Sequence, residues 1–215
     1  MTDILRACQQ HLDAIGVSCA CIEAILSDGV PEPETPYIDR TDEMPVNTTP
    51  SHKDFVRCFP GRDMWPLRNL SDLTGITIHH SLSHSPLATA NVCLNKGYPT
   101  IQYHYWVSAG DGCPVYMLAS PSLALWHDHT GAHSRTLSVA LAGRWDYRTP
   151  PGEQLQSLAR LVVWLMRQYA IPPAEVRGHN DRAWAVSRVR TVCPGWYKAN
   201  WHDTFFSILA GVMRS

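Results

Sequence analysis

The stretch GITIHHS, residues 75–81, decides the fold. Ile76, Thr77 and Ile78 form a β-branched run that ends in polar residues, the pattern of a strand leaving a core. Two runs of comparable length follow, IQYHYWVS at 101–108 and TLSVALAG at 136–143, so three central strands are expected. Between the first two, TANVCLNKG (89–97) reads as a short helix closed by Gly97. After the third, Leu155, Leu158, Leu161, Val162, Leu165, Met166 and Tyr169 make one apolar stripe at helical spacing, and Pro172 and Pro173 stop that helix. A last helix carries Trp201, Phe205, Phe206, Leu209 and Val212. Strands interleaved with helices that are apolar on one face predict an α/β fold, a sheet covered by helices.

Upstream the pattern changes. Ile4, Leu5, Cys8, Leu12 and Ile15 have helical spacing behind Thr2 as an N-cap, and VSCACIEAIL continues to about Ser27, giving one or two short helices. From Val30 to Pro50 five prolines alternate with acidic and small polar residues, which reads as a linker or as a strap lying over the domain. The expected division is an N-terminal helical segment with its proline-rich linker at 1–65 and a folded domain at 66–215.

A chain of 215 residues with 45% hydrophobic and 17% charged content suits one globular domain plus an extension. Eighteen basic against nineteen acidic residues leave a net charge of −1, which gives no field for capturing nucleic acid or an anionic membrane. No stretch approaches the roughly 18 apolar residues of a spanning helix, and the start is amphipathic, unlike a secretory leader. The expectation is a protein made in the cytoplasm without a signal peptide. Seven cysteines at irregular spacing point to small buried residues in place of a disulfide framework, and Cys19 with Cys21 reads as packing.

Seven of the eleven histidines fall between His79 and His133. His79 and His80 are consecutive on a strand, so only one of them can look into a given site. His179 and Cys193 lie 14 positions apart in VRGHNDRAWAVSRVRTVCPGW (176–196), in what read as loops. Imidazole with thiolate suits zinc, a third ligand would come from the histidine pair, and three protein ligands leave one position open for water. A buried cysteine beside a surface histidine explains the same spacing.

The order ITIHHS, IQYHYWVSAGDG, LWHDHTGAHSRTLSVALAG, VRGHND and TVCPGW resembles the type 2 N-acetylmuramoyl-L-alanine amidases, a family that includes phage lysozyme-like amidases and peptidoglycan recognition proteins. The resemblance covers roughly residues 70 to 212. It implies a central mixed β-sheet flanked by helices, here with an N-terminal extension. It also implies zinc on His79, His179 and Cys193, and a role for Tyr103 in orienting water and stabilising charge on the attacked carbonyl oxygen. His80 and His104 would then be structural or supporting. The implied reaction is hydrolysis of the amide between N-acetylmuramic acid and L-alanine in peptidoglycan, as in a phage or prophage endolysin acting on the bacterial wall. The alternative is a peptidoglycan-binding module of the same fold that does not cleave.

Two positions depart from the family pattern. Thr191 stands where phage members often carry a lysine that supports the oxyanion, and Ala140 stands where cytoplasmic members place a glutamate in the third strand. His127, His129 and His133 compete for one histidine position. Trp126, Tyr105 and Trp106 are candidates to line a substrate groove. Asp181 or His202 would close the zinc site if either were a fourth ligand.

Overall fold

The computed structural model describes residues 34–127, 134–182, 191–196 and 201–214. The expected N-terminal helices, with Cys8, Cys19 and Cys21, lie outside the described residues. Among the described residues six strands form one mixed sheet in the order β1-β4-β3-β5-β2-β6. They are β1 (Ile38–Asp39), β2 (Gly75–His80), β3 (Tyr105–Val107), β4 (Val115–Met117), β5 (Thr136–Leu141) and β6 (Val176–Gly178). The β3/β4 pair is antiparallel and all others are parallel.

The two β-branched runs, β2 and β5, pair over their full length, from Gly75 opposite Thr136 to His80 opposite Leu141. Both are buried at every position, as expected for parallel strands covered on both faces. The run at 101–108 is a strand only over three residues; just before it, the His104 N–H donates to Ser138 O at 3.1 Å and His104 Nδ1 meets Ser138 Oγ at 2.8 Å. The short strands β1, β4 and β6 complete the sheet beyond the three expected.

The helices named among the described residues are α1 (Lys53–Cys58), α2 (Pro86–Asn95), α3 (Gly152–Gln168) and α4 (Trp201–Arg214). Ser85 caps α2, accepting from the Ala88 N–H at 3.2 Å, with Pro86 in the first turn. Gly97, at φ +87, ends it, and a Cβ there would lie 2.7 Å from the His52 nitrogen. The apolar stripe of α3 and the aromatic face of α4 cover one side of the sheet, where Ile76, Ile78, Leu137, Val139 and Leu141 are buried. The other side holds Trp106, Ala140 and Ala142 with Ala90 of α2.

The proline-rich stretch behaves as a strap. It supplies β1 as an edge strand beside β4 and places Met44 in the core with Ile101 and Trp106. Asn47 donates its N–H to Pro99 O at 2.7 Å, and Thr100 donates its hydroxyl to Pro45 O. Further along, Phe55 and Trp65 pack with Cys93, Tyr98 and Leu125. Main-chain bonds and a few large side chains fasten a segment whose composition has little core-forming content. Four cysteines are described, all unpaired; Cys93, Cys113 and Cys193 are buried as expected and Cys58 is exposed.

Candidate metal centre

Alternation on β2 separates the two histidines. Ile76, Ile78 and His80 face α3 and α4, while Thr77 and His79 face the side covered by α2. His79 emerges at the C-terminal end of β2, directly across from Ala140 on β5. His80 turns away and meets Asp146, Nε2 to Oδ1 at 3.4 Å. Burial lowers its pKa, with Asp146 opposing. It is a structural histidine, and its main-chain N–H donates to Cys193 Sγ at 3.4 Å.

His179 follows β6 immediately and begins a helical turn, where a loop was expected. Gly178 before it has no room for a side chain, since a Cβ would fall 2.5 Å from Asn180 Oδ1, 2.8 Å from Pro194 Cδ and 2.9 Å from Trp201. The turn is tied to the cysteine segment by the Asn180 N–H, which donates to Cys193 O at 2.7 Å. Cys193 itself sits in a turn, as the sequence suggested, ahead of a cis peptide to Pro194.

These elements bring His79, His179 and Cys193 together, with one ligand atom from each within 4.8 Å of the others. Cys193 Sγ is 3.7 Å from His79 Nδ1. A tetrahedral ion with bonds of about 2.0 Å to nitrogen and 2.3 Å to sulfur would separate the two donors by about 3.5 Å, so this pair fits zinc. Burial pushes the Cys193 thiol up to about 12, against the lowering effect of the His80 N–H. A cation replacing the thiol proton removes that penalty. Among the described residues this is the one cluster of three such ligands. Asp181, a possible fourth ligand, is committed elsewhere: its Oδ2 accepts from the Gly178 N–H at 2.8 Å and meets His202 Nε2 at 3.0 Å.

Tyr103 stands beside the cluster, its ring 5.4 Å from that of His79. Burial, reinforced by Cys193, raises its pKa, so it remains a hydroxyl donor at neutral pH. Thr191 accepts the Cys193 N–H on Oγ1 at 3.2 Å, which leaves its own hydrogen available. Both line a cleft of about 710 Å³ that is also lined by His79, His179 and Cys193. His104 is fully buried, bonded to Ser138 Oγ, to Leu123 O and to the Arg68 guanidinium. Burial and the Arg68 charge hold its pKa well below the ordinary value.

Of the three competing histidines, His127 is the one described, and its Nδ1 lies 3.3 Å from His79 Nε2. His129 and His133 fall outside the described residues. Among the aromatic candidates, Trp126 lines the cleft. Tyr105 and Trp106 do not: both have no exposed surface, Tyr105 packing toward α3 and Trp106 toward α2. Neighbouring strands on both sides bury whichever face each ring takes. The cleft also includes His52, at the start of α1 and stacked on Tyr98 at 3.9 Å, and Lys96. Sequence reasoning missed them: no local pattern marks Lys96 at the end of α2, and the one signal for His52 is its place as the N-cap of α1.

The profile of the N-acetylmuramoyl-L-alanine amidase family matches residues 69–196. No protein of curated function matches the chain. Among solved structures, the fold is similar to an endolysin N-acetylmuramoyl-L-alanine amidase of Clostridium intestinale, at 23% identity and TM-score 0.54, over 69% of this chain and 90% of that one. It is similar to the Drosophila peptidoglycan recognition protein PGRP-SD at 19% identity and TM-score 0.56, over 78% and 94%. The Ph2119 endolysin of a Thermus scotoductus bacteriophage aligns at 19% identity and TM-score 0.52, over 71% and 95%. With a mixed sheet between helices, a cluster of His79, His179 and Cys193 that could hold a metal, and a profile match over more than half its length, the chain belongs to the N-acetylmuramoyl-L-alanine amidase family.

Proposed function

We propose that this protein is a zinc-dependent peptidoglycan amidase that hydrolyses the bond between the lactyl group of N-acetylmuramic acid and L-alanine of the stem peptide, as a phage-type endolysin does. The observation that carries this reading is the convergence of His79, His179 and Cys193 beside Tyr103 in an open cleft. His79, His179 and Cys193 would hold the metal. When bound there, zinc supplies Lewis-acid chemistry, acidifying a water and polarising an amide carbonyl.

The chain's own residues do the rest. As water adds to the carbonyl carbon, negative charge grows on the former carbonyl oxygen, and the Tyr103 hydroxyl is the donor assigned to it in this reading. Its raised pKa keeps the proton on the phenol until that charge appears. Thr191 offers a second, uncharged donor. Collapse breaks the carbon–nitrogen bond, and the L-alanine nitrogen leaves as the amine, carrying the proton that the added water gave up. Trp126 and the His52–Tyr98 stack give the cleft flat apolar surfaces against which sugar or peptide can lie.

Ala140 beside His79 brings no carboxylate to the strand edge, and this favours one alternative, a module that binds peptidoglycan without cleaving it. Purified peptidoglycan separates the two. An amidase frees stem peptides with new L-alanine amino termini and leaves glycan strands without new reducing ends. Chelation stops the release and returned zinc restores it. Wall binding by zinc-loaded protein without new amino termini would establish the binding module instead.

A further inference from the structure

His79 has a partner on each ring nitrogen. Nδ1 faces Cys193 Sγ at 3.7 Å, and Nε2 faces His127 Nδ1 at 3.3 Å. The row continues: His127 Nε2 lies 3.0 Å from Thr136 Oγ1. His79, His127 and Thr136 are all buried. Thr136 is fixed on β5, on the same face as Ala140, and its carbonyl accepts from Arg68 Nη1 at 2.8 Å. The chain entering His127 is held by the Gln102 side-chain amide, which donates to Trp126 O.

Such a row has a direction. A neutral imidazole carries one hydrogen, so it donates from one nitrogen and offers a lone pair on the other. Cys193 Sγ already receives the His80 N–H at 3.4 Å and lies 3.7 Å from His79 Nδ1, so a thiol hydrogen given to that nitrogen sets the direction of the row. His79 then carries its proton on Nε2 and donates to His127 Nδ1. His127 in turn carries its proton on Nε2 and donates to Thr136 Oγ1. A metal taking the place of the thiol hydrogen needs the same lone pair on His79 Nδ1, so no proton on the histidines has to move when it binds.

We infer that His127 and Thr136 are positioning residues that hold His79 as its Nε2–H tautomer, with Nδ1 presented to the metal. The inference rests on the metal reading of His79 given above. Partners of this kind change metal affinity by about 10- to 100-fold when removed.

The test is nitrogen-15 NMR of the histidines in the metal-free and zinc-loaded protein, with zinc affinity measured by chelator competition. Wild type is expected to show His79 as Nε2–H in both states. His127→Phe keeps a ring but loses the acceptor; it is expected to mix the two tautomers of metal-free His79 and to bind zinc about 10- to 100-fold more weakly. His127→Asn, whose Oδ1 can replace Nδ1, should restore both properties, and Thr136→Val should move them the same way by less. An Nδ1–H tautomer in wild type overturns the inference. So does a His127→Phe protein with unchanged tautomer and affinity, or a His127→Asn protein that folds but is no better than His127→Phe, since packing alone would then explain the loss. A wild type that takes up no zinc overturns the metal reading itself; one that takes up zinc with the other tautomer overturns only this inference.

Discussion

Cys193 Sγ lies 3.7 Å from His79 Nδ1 although 114 positions separate them in the chain. Metal analysis of purified protein is expected to find one zinc per chain. Cys193→Ser should lose most of that occupancy, because an alcohol replaces the thiolate. Full occupancy in the variant would remove Cys193 from the ligand set.

The same burial that pushes the Cys193 thiol up to about 12 makes zinc uptake a proton-releasing event. At pH 7.5 the metal-free thiol is protonated, and the ligand form is the thiolate. Calorimetric titration of zinc in buffers of different ionisation enthalpy should show release of about one proton from wild type. Release that persists undiminished in Cys193→Ala would assign the proton elsewhere.

Tyr103→Phe deletes one hydroxyl beside the His79 ring and no packing volume of note. Zinc content and melting temperature should be near wild type while turnover on peptidoglycan falls by about 10²-fold or more, the usual cost of losing one donor to a developing oxyanion. Undiminished turnover would shift that role to Thr191, and Thr191→Val would then carry the loss.

Gly178→Ala puts a methyl 2.5 Å from Asn180 Oδ1 and against Pro194 and Trp201. The turn that carries His179 must shift, so both thermal stability and zinc affinity should drop, measured by melting and by chelator competition. A variant with normal zinc affinity would show that His179 tolerates movement of its backbone.

His104 sets part of the acid limit of the metal-free fold. Burial and Arg68 hold its folded pKa well below the unfolded value of about 6.5. Below that value the unfolded chain binds a proton that the folded chain refuses, so stability is present above about pH 6.5 and is lost as pH falls. His80 acts in the same direction, its pKa lowered by burial. Urea unfolding of metal-free protein should give lower stability at pH 5.5 than at pH 7.5, and His104→Gln should flatten the slope. An equal slope in the variant would take His104 out of the account.

Much of the fold was legible because its signals are local. The runs at 75–80 and 136–141 are β-branched, and α3 and α4 carry one apolar face each; these patterns depend only on residue type and spacing. The strands β1, β4 and β6 span two or three residues and carry no such pattern. They are strands because a neighbour offers main-chain partners. The stretch at 30–50 was read as a linker or a strap, yet Met44 is buried, because one side chain needs only a gap in a surface built by others.

Candidate ligands were legible by chemistry and order: histidine at a strand end, then histidine and cysteine in a family motif. Alternation along β2 established that His79 and His80 part company, but not which ring joins His179 and Cys193. That depended on α2 covering one face and α3 with α4 the other. Likewise the sequence offered three histidines near position 130, and packing against β5 put His127 on His79. Residue type, spacing and motif order are properties of the chain alone, and they determined the elements and the family. Which face is open and which side chains touch are set by contacts between segments as far apart as 114 positions, and only the folded packing of helices on the sheet decides those.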